Sequence, residues 1–431
     1  ERDKKSTLTN INKYFDEIVK IIWYEVDGSK DPVDLFTRLN IGKIPLTNAE
    51  LVKAMFLSRD FDETMDKKKQ EEISLQWDTM EKELHDPSLW YFLTNTTNGE
   101  YGTRIDLVLD LISRKPVDSR ERYYTFFKFD EMHQEKKLDA IWYEIHKKFL
   151  MLKDWYGNHE FYHKIGYLIA SGAHSLQEIS DCSKDKTKDA FRTSLNGRIR
   201  DSIIIEGNYA DLSYENPSDR EKLARLLLLF NVESVRMHGA HSQWFPFDRH
   251  KFGKDGKVSW SLEHIHAQQS ESLRTQEMWK KWIELHMKCV RAIHGDSDEL
   301  IHQMDRAIAK NRLDRQEFDS IRERTVALLS VEGNTDYLHA IANLALLSST
   351  DNAALSNSTF DVKRNAIIKM DKDGQYIPFC TRMVFLKYYT LSADNQLHFW
   401  GHADRAEYVK EINRVLKEYL EEPIALEKEE K

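Results

Sequence analysis

The chain has 431 residues, 41% of them hydrophobic and 31% charged, with a formal net charge of −9. That length allows two or three cores, and no apolar run approaches the roughly 18 residues that span a bilayer, which speaks against a membrane protein. The acidic balance sets a condition on any nucleic-acid role: phosphate attraction is the main source of nonspecific affinity, so local cation clusters must supply what the total does not.

The three cysteines, Cys182, Cys289 and Cys380, are far apart and form no Cys-x-x-Cys pair. This argues against a disulfide framework or a zinc knuckle and makes a reducing cytoplasm the simplest location. The chain opens Glu1-Arg2-Asp3-Lys4-Lys5 rather than with Met, so a fragment or processed piece is expected. Gly (16) and Pro (8) are scarce, and their depletion favours long helices. The predicted fold is mainly α.

In chain order, Thr47-Asn48-Ala49-Glu50 has the pattern of a capping box, in which Thr47 and Glu50 satisfy each other's amides. It predicts a helix from about 48 to 58 with Leu51, Ala54 and Met55 inward. Helical patterns follow over 104–112, 140–152 and 161–170. The aromatic runs Leu89-Trp90-Tyr91-Phe92 and Tyr123-Tyr124-Thr125-Phe126-Phe127 suit packing between helices better than base stacking. A cation cluster over 183–200 reads as a solvated helix face. Ser218-Asp219-Arg220-Glu221 repeats the capping pattern and opens the stretch from Leu223 to Phe230, hydrophobic on nearly every side and so expected at the centre of a core.

The texture changes at Phe252-Gly253-Lys254-Asp255-Gly256-Lys257, a turn-rich link, after which Val258-Ser259-Trp260-Ser261-Leu262 alternates like a short strand. A second strand-like piece, 342–348, leads into a polar loop at 349–352 and a helix near 361–370, inside a second cation cluster over 361–387. Between the strands, 268–336 reads as a helical insertion.

The chemistry is expected where the first strand ends. Hydrolysing a phosphodiester needs an activated water, relief of phosphate charge and help for the leaving oxygen. His264 can accept a proton near neutrality. Glu263 offers a hard oxygen for Mg²⁺ or Mn²⁺, Asn352 a second oxygen, and Lys363 or Arg364 a cation for the phosphate. His266 stands open between a further metal ligand, a residue bracing the site and a buried histidine with its hydrogen bonds satisfied.

The segment Ser261-Leu262-Glu263-His264-Ile265-His266-Ala267-Gln268, followed by Asn343-Leu344-Ala345-Leu346-Leu347-Ser348, Asn352, Asn357, Phe360 and Lys363-Arg364, resembles the HNH nuclease domain of GmrSD-like modification-dependent restriction proteins. That family runs acidic-His-Ile-x-Pro-Gln, then Asn-Leu-x-Leu-Leu, an Asn and a Phe-x-x-Lys-Arg helix. Ala267 departs from the pattern's Pro, and the zinc-binding cysteine pairs that brace some HNH domains are absent from the sequence. Near the N-terminus, Phe36-Thr37-Arg38-Leu39-Asn40-Ile41-Gly42-Lys43-Ile44-Pro45-Leu46-Thr47 is similar to the family's Phe-x-x-Leu-Asn-x-Gly-x-x-Leu-Thr segment, with one extra residue. This segment closes a ParB-like nucleotide-hydrolysing domain, whose Asp-Gly-Gln-Gln-Arg motif the chain lacks, so NTP binding is expected only with an upstream part.

The resemblance implies a small ββα-metal nuclease core among helices. It divides the chain into a remnant of the NTPase or sensor domain over 1–65, a helical linker region over 66–215 and the nuclease domain over 216–431. It further implies restriction of modified or phage DNA, and two-strand cutting would suit a homodimer. Two rivals stand beside it: a sensor or scaffold with an inactive nuclease fold, and an RNA-cleaving toxin.

Overall fold

The computed structural model describes residues 11–15, 17, 19–20, 46–57, 67–96, 101–204, 208–239, 242–253, 256–266, 275–294, 298–329, 339–351, 358–390 and 399–420. The segment 36–45, Ala267, Asn352 and Asn357, all used above, lie outside them.

Helices dominate, as the low Gly and Pro content predicts. In the first half they are α1 (Asn48–Leu57), α2 (Lys67–Leu84), α3 (Pro87–Leu93), α4 (Asp106–Ser113), α5 (Tyr124–Glu135), α6 (Leu138–Gly157), α7 (His159–Ala170), α8 (Leu176–Cys182) and α9 (Lys188–Ser202). The capping box at α1 is present: Thr47 N donates to Glu50 Oε2 at 2.7 Å and Glu50 N to Thr47 Oγ1 at 3.2 Å. Met55 is inward as expected, but the buried face is Ala49, Val52, Met55 and Phe56, and Ala54 is exposed. The cause is tertiary, because α1 packs against three partners, α2, α4 and α5, and they select its buried stripe.

The first aromatic run packs between helices, whereas in the second Tyr123, Tyr124 and Phe126 are half-buried and Phe127 is exposed. Trp90, Tyr91 and Phe92 are buried, and Phe92 stacks on Tyr162 of α7 with centroids 5.0 Å apart. Gly166 of α7 lies against the Phe247 ring, which any β-carbon there would overlap. Of the six cations of 183–200, Lys184 pairs with Asp181, Lys188 with Asp154 and Arg192 with Glu160, while Lys186 donates to Ser194 Oγ, Arg198 stands against His174 and Arg200 donates to the backbone oxygen of Glu418.

The second half begins with α10 (Pro217–Met237), in which Leu223 and Leu226 through Phe230 are buried. Its N-cap is Asn216, which accepts from Ser218 N, rather than Ser218 as the sequence pattern suggests. Pro217 explains the shift: it needs no donor partner and is preset for the first helical position, so the cap falls on the residue before it. Then come α11 (Phe247–Lys251), the two-residue strands β1 (Phe252–Gly253) and β2 (Gly256–Lys257), and β3 (Trp260–His264). The insertion folds as α12 (Gln276–His294), α13 (Glu299–Ala309) and α14 (Arg315–Leu329), and the chain returns through β4 (Leu344–Ser348), α15 (Phe360–Lys372), α16 (Phe379–Phe385) and α17 (His402–Leu416).

Among the described residues the sheets are two antiparallel pairs, β1–β2 and β3–β4. β3 starts two residues later than its pattern suggests and reaches His264, because its register with β4 runs from Trp260 opposite Ser348 to His264 opposite Leu344. β4 has no second strand beside it among the described residues. Side chains take its carbonyls instead, Thr381 Oγ1 on Leu346 O and Tyr408 OH on Leu344 O, so its edge is covered. Helix α10 packs on both strands.

One continuous apolar cluster runs from Ala49 to Tyr419 and includes α10 and both long strands. The insertion has its own smaller cluster, built on Trp279, Trp282, Met304 and Phe318, that meets the rest at Val362 of α15. No described helix is long and apolar enough to cross a membrane. All three cysteines are free and buried.

Candidate functional site

The sequence expected chemistry at the C-terminal end of β3, and the fold brings a second element to it there. Glu263 lies opposite Ala345, whose small side chain leaves room on that face. Lys363, from the first turn of α15, fills the space: its ammonium donates to Glu263 Oε1, and to the backbone oxygen of His264 at 2.5 Å. Both side chains are almost wholly buried, at 1% and 5% exposure. Burial raises the Glu263 pKa while Lys363 draws it back, and burial lowers that of Lys363 while Glu263 opposes. The geometry supports the charged pair, each member being the other's stabilising partner.

Past His264 one more backbone bond, Ile265 N donating to Asn343 O at 2.8 Å, closes the pairing, and the Asn343 side chain then takes over. Its Oδ1 accepts from His266 N at 3.0 Å and its Nδ2 donates to His266 O at 2.8 Å, from a fully buried position. His266 itself is buried, and its Nδ1 accepts from Phe360 N at 3.4 Å. One residue earlier, Thr359 N donates to His286 Nε2 at 3.3 Å, while His286 Nδ1 bonds Trp282 O at 2.8 Å. The first turn of any helix has unpaired amides, and here two imidazoles take two of them, one from the strand and one from the insertion. Accepting these bonds requires neutral rings, and burial drives His266 down to about 4 and His286 to about 3. His266 therefore ties the strand end to α15, and His286 ties the insertion to the same turn.

His264 is half-buried and faces residues that no motif or spacing groups with it. Its Nε2 stands 3.3 Å from His339 Nδ1, and His339 Nε2 stands 3.3 Å from Glu215 Oε1. Tyr214 meets the His264 ring edge-on at 4.7 Å, and Arg220 lies over Tyr214, its guanidinium carbon 4.7 Å from the ring centre. The loop carrying Tyr214 and Glu215 is held by Tyr214 N donating to His339 O at 2.9 Å and by a bridge from Ser213 to Ala340. With a proton on His339 Nε2, the nitrogen facing Glu215, His339 Nδ1 would accept from His264 Nε2–H and the lone pair of His264 would sit on Nδ1. Burial, followed by the charge of Lys363 and the neighbouring His339, pushes His264 down to about 4, so the ring is neutral near pH 7.

Arg364 follows Lys363 but points about 100° further round the helix, and its charge acts on Lys387 rather than on Glu263. Its Nε is buried without a partner among the described residues. Three of the six cations of the second cluster are paired, Lys363 with Glu263, Lys387 with Asp404 and Arg382 with Asp371. Among the described residues no three His, Cys, Asp or Glu side chains converge as a metal cluster.

Tyr214, Glu215, Arg220 and His339 are the neighbours sequence reading missed. They carry no spacing signal, since the loop precedes a long helix and His339 sits just ahead of the second strand. Only the Ser213–Ala340 bridge puts them beside His264. Comparison with protein-family models, with curated proteins and with solved structures returns no match.

Proposed function

We propose that the chain is a metal-dependent HNH-type endonuclease that hydrolyses DNA phosphodiester bonds, with β3, β4 and α15 as its ββα-metal core. The observation that carries this reading is the meeting of Glu263, His264 and Lys363 at one strand end, with a neutral His264 ring facing an accessible rim. In this reading His264 Nδ1 takes the proton from the attacking water, and Glu215 with His339 holds the tautomer that makes Nδ1 the base. Arg220 and Arg364 are the cations left for phosphate, since Lys363 is engaged with Glu263.

The donor chemistry fits a hard divalent ion, Mg²⁺ or Mn²⁺: Glu263 supplies a carboxylate whose burial calls for a cation, and Asn352 a neutral oxygen. Lys363 bonds Oε1 of Glu263, so Oε2 would be the oxygen offered to the metal; His266, the sequence's further candidate ligand, has its Nδ1 taken by Phe360 N and would offer Nε2. When bound, such an ion relieves negative charge on the scissile phosphate. Restriction of modified or phage DNA is the biological setting the GmrSD-like motifs suggest; two-strand cutting would suit a homodimer, and the cysteine usage a reducing cytoplasm.

The test is plasmid cleavage with Mg²⁺ or Mn²⁺ by the wild type and by His264→Ala. The variant should lose roughly 10²- to 10⁴-fold in rate. A wild type that never cuts, or a variant that cuts equally well, refutes the assignment. A sensor or scaffold with an inactive nuclease fold is the second reading, favoured by the engagement of Glu263 with Lys363 and by the net charge of −9. Matched DNA and RNA substrates separate the DNase from an RNA-cleaving toxin.

A further inference from the structure

At the opposite end of β3 from His264, about 13 Å along the strand, Trp260 meets Tyr376 edge-on at 5.9 Å. Tyr376 also lines a separate open cavity of about 560 Å³, between the end of α10, the segment leading into α11 and the turn joining α15 to α16. This volume is in the range of small-molecule sites, roughly 300–1,000 Å³.

The lining combines three kinds of group. Trp244 and Tyr376 offer ring surface, and Trp244 is 43% exposed although its other side packs on Tyr162. Arg249 and Arg382 supply cations. Arg249 is exposed, its guanidinium 5.8 Å from the Tyr376 ring centre and its Nη2 on Gly374 O at a long 3.4 Å. Arg382 shares Asp371 at 3.3 Å, and its Nε is buried with no partner among the described residues. Gln243 and Gln375 place carboxamides, which both donate and accept, at the rim.

We propose that this cavity binds a single nucleotide, its base stacked on Trp244 or Tyr376, its phosphate held by Arg249 and Arg382, and its base edge met by Gln243 and Gln375. Ring faces alone would suit any flat apolar ligand, and guanidinium groups alone any anion. A nucleotide is the ligand class that uses both and also presents donors and acceptors on its ring edge. Asp371 is the one acid among the described lining residues, and its pairing with Arg382 leaves Arg249 without an ion pair among the described residues. The site needs nothing from His264 and stands whether or not the chain cuts DNA.

Two sources offer this chemistry, a free mononucleotide and an unpaired nucleotide of a strand. The full chain is titrated calorimetrically with AMP, with ribose 5-phosphate and inorganic phosphate as controls. In parallel, anisotropy follows a fluorescein-labelled single-stranded oligonucleotide in metal-free buffer. Arg249→Gln, at an exposed position, and Trp244→Ala are each expected to weaken binding roughly 5- to 100-fold. AMP binding that both variants weaken supports the site with a free nucleotide. Oligonucleotide binding alone, weakened by both, supports it with a strand. Phosphate or ribose 5-phosphate binding as tightly as AMP overturns base recognition, and so does an absence of binding by AMP and oligonucleotide alike, or variants that bind like wild type. His264→Ala keeps the binding, so loss of cleavage and loss of this site read out separately.

Discussion

Helices α1 to α9 and the β3–β4–α15 unit both bury aliphatic and aromatic surface, and they differ in where they keep charge. In the helical region most ion pairs are at the surface, such as Lys53 with Asp78 and Arg114 with Asp181. Its interior is built from ring contacts such as Trp77 stacked on Trp142 at 6.2 Å. Lys164, beside Glu160, and Asp106, which accepts from Ala49 N, are buried exceptions. Around β3 and α15 the paired charges are inside, Glu263 with Lys363 and Lys387 with Asp404, and so are the neutral rings of His266 and His286. A buried ion pair is weak support for stability, since apolar residues of similar volume often do as well or better. It does fix geometry, because each group accepts few arrangements of its partner. The difference between the regions is one between filling space and fixing positions.

The comparison breaks or sharpens with four substitutions. Lys363→Met leaves Glu263 buried without its cation and should cost about 3–5 kcal/mol in urea unfolding. A further Glu263→Gln in the same chain should recover part of that loss, and failure to do so would mean the two residues are not coupled. Phe92→Ala, in the helical region, should cost a similar 3–5 kcal/mol by cavity formation, yet leave the cleavage rate per folded molecule unchanged. Equal effects of Lys363→Met and Phe92→Ala on that rate would erase the distinction. Asn343→Ala removes the clamp on His266, for about 1–3 kcal/mol by the same measurement; a neutral result would show that the strand end needs no clamp.

The smallest effect is a change in pH dependence. Lys251 is buried, its ammonium donating to Tyr91 O at 2.5 Å and Thr94 O at 3.1 Å, and burial pushes it down from the ordinary 10.5 to about 7. Between those values the unfolded chain binds the proton more tightly than the folded one. The contribution of this group is therefore complete above 10.5 and is lost as pH falls toward 7. The wild-type chain should become more stable than Lys251→Met as pH rises from 7 to 10.5, measured as the difference between their melting temperatures at each pH. A constant difference would place the folded pKa near its ordinary value.

Much of the fold was legible because it rests on local chemistry. The Thr47–Glu50 box, the helices over 104–112, 140–152 and 161–170, both strand segments and the helix after them follow from capping, periodicity and turn residues. The buried face of α1 and the cap of α10 were not, since neighbouring helices chose the first and Pro217 displaced the second. At the candidate site Glu263, His264 and Lys363 could be singled out by residue type and order. Their pairing could not, because a lysine near a carboxylate in space looks the same in sequence as a lysine on an open face. His339 and Glu215 gave no signal, because they reach His264 through tertiary contacts, the Ser213–Ala340 bridge and the bond from Tyr214 N to His339 O among them.

By itself, then, the sequence determined a helical chain interrupted by two strand segments, and the residue types available at the end of the first. Tertiary structure alone decided that Lys363 neutralises Glu263, that two buried imidazoles cap α15, and that His264 faces Tyr214, Arg220 and His339. The physical reason is range. Helix caps and strand alternation act over a few residues, whereas a buried charge or ring is given its state by whatever the fold sets within hydrogen-bond reach.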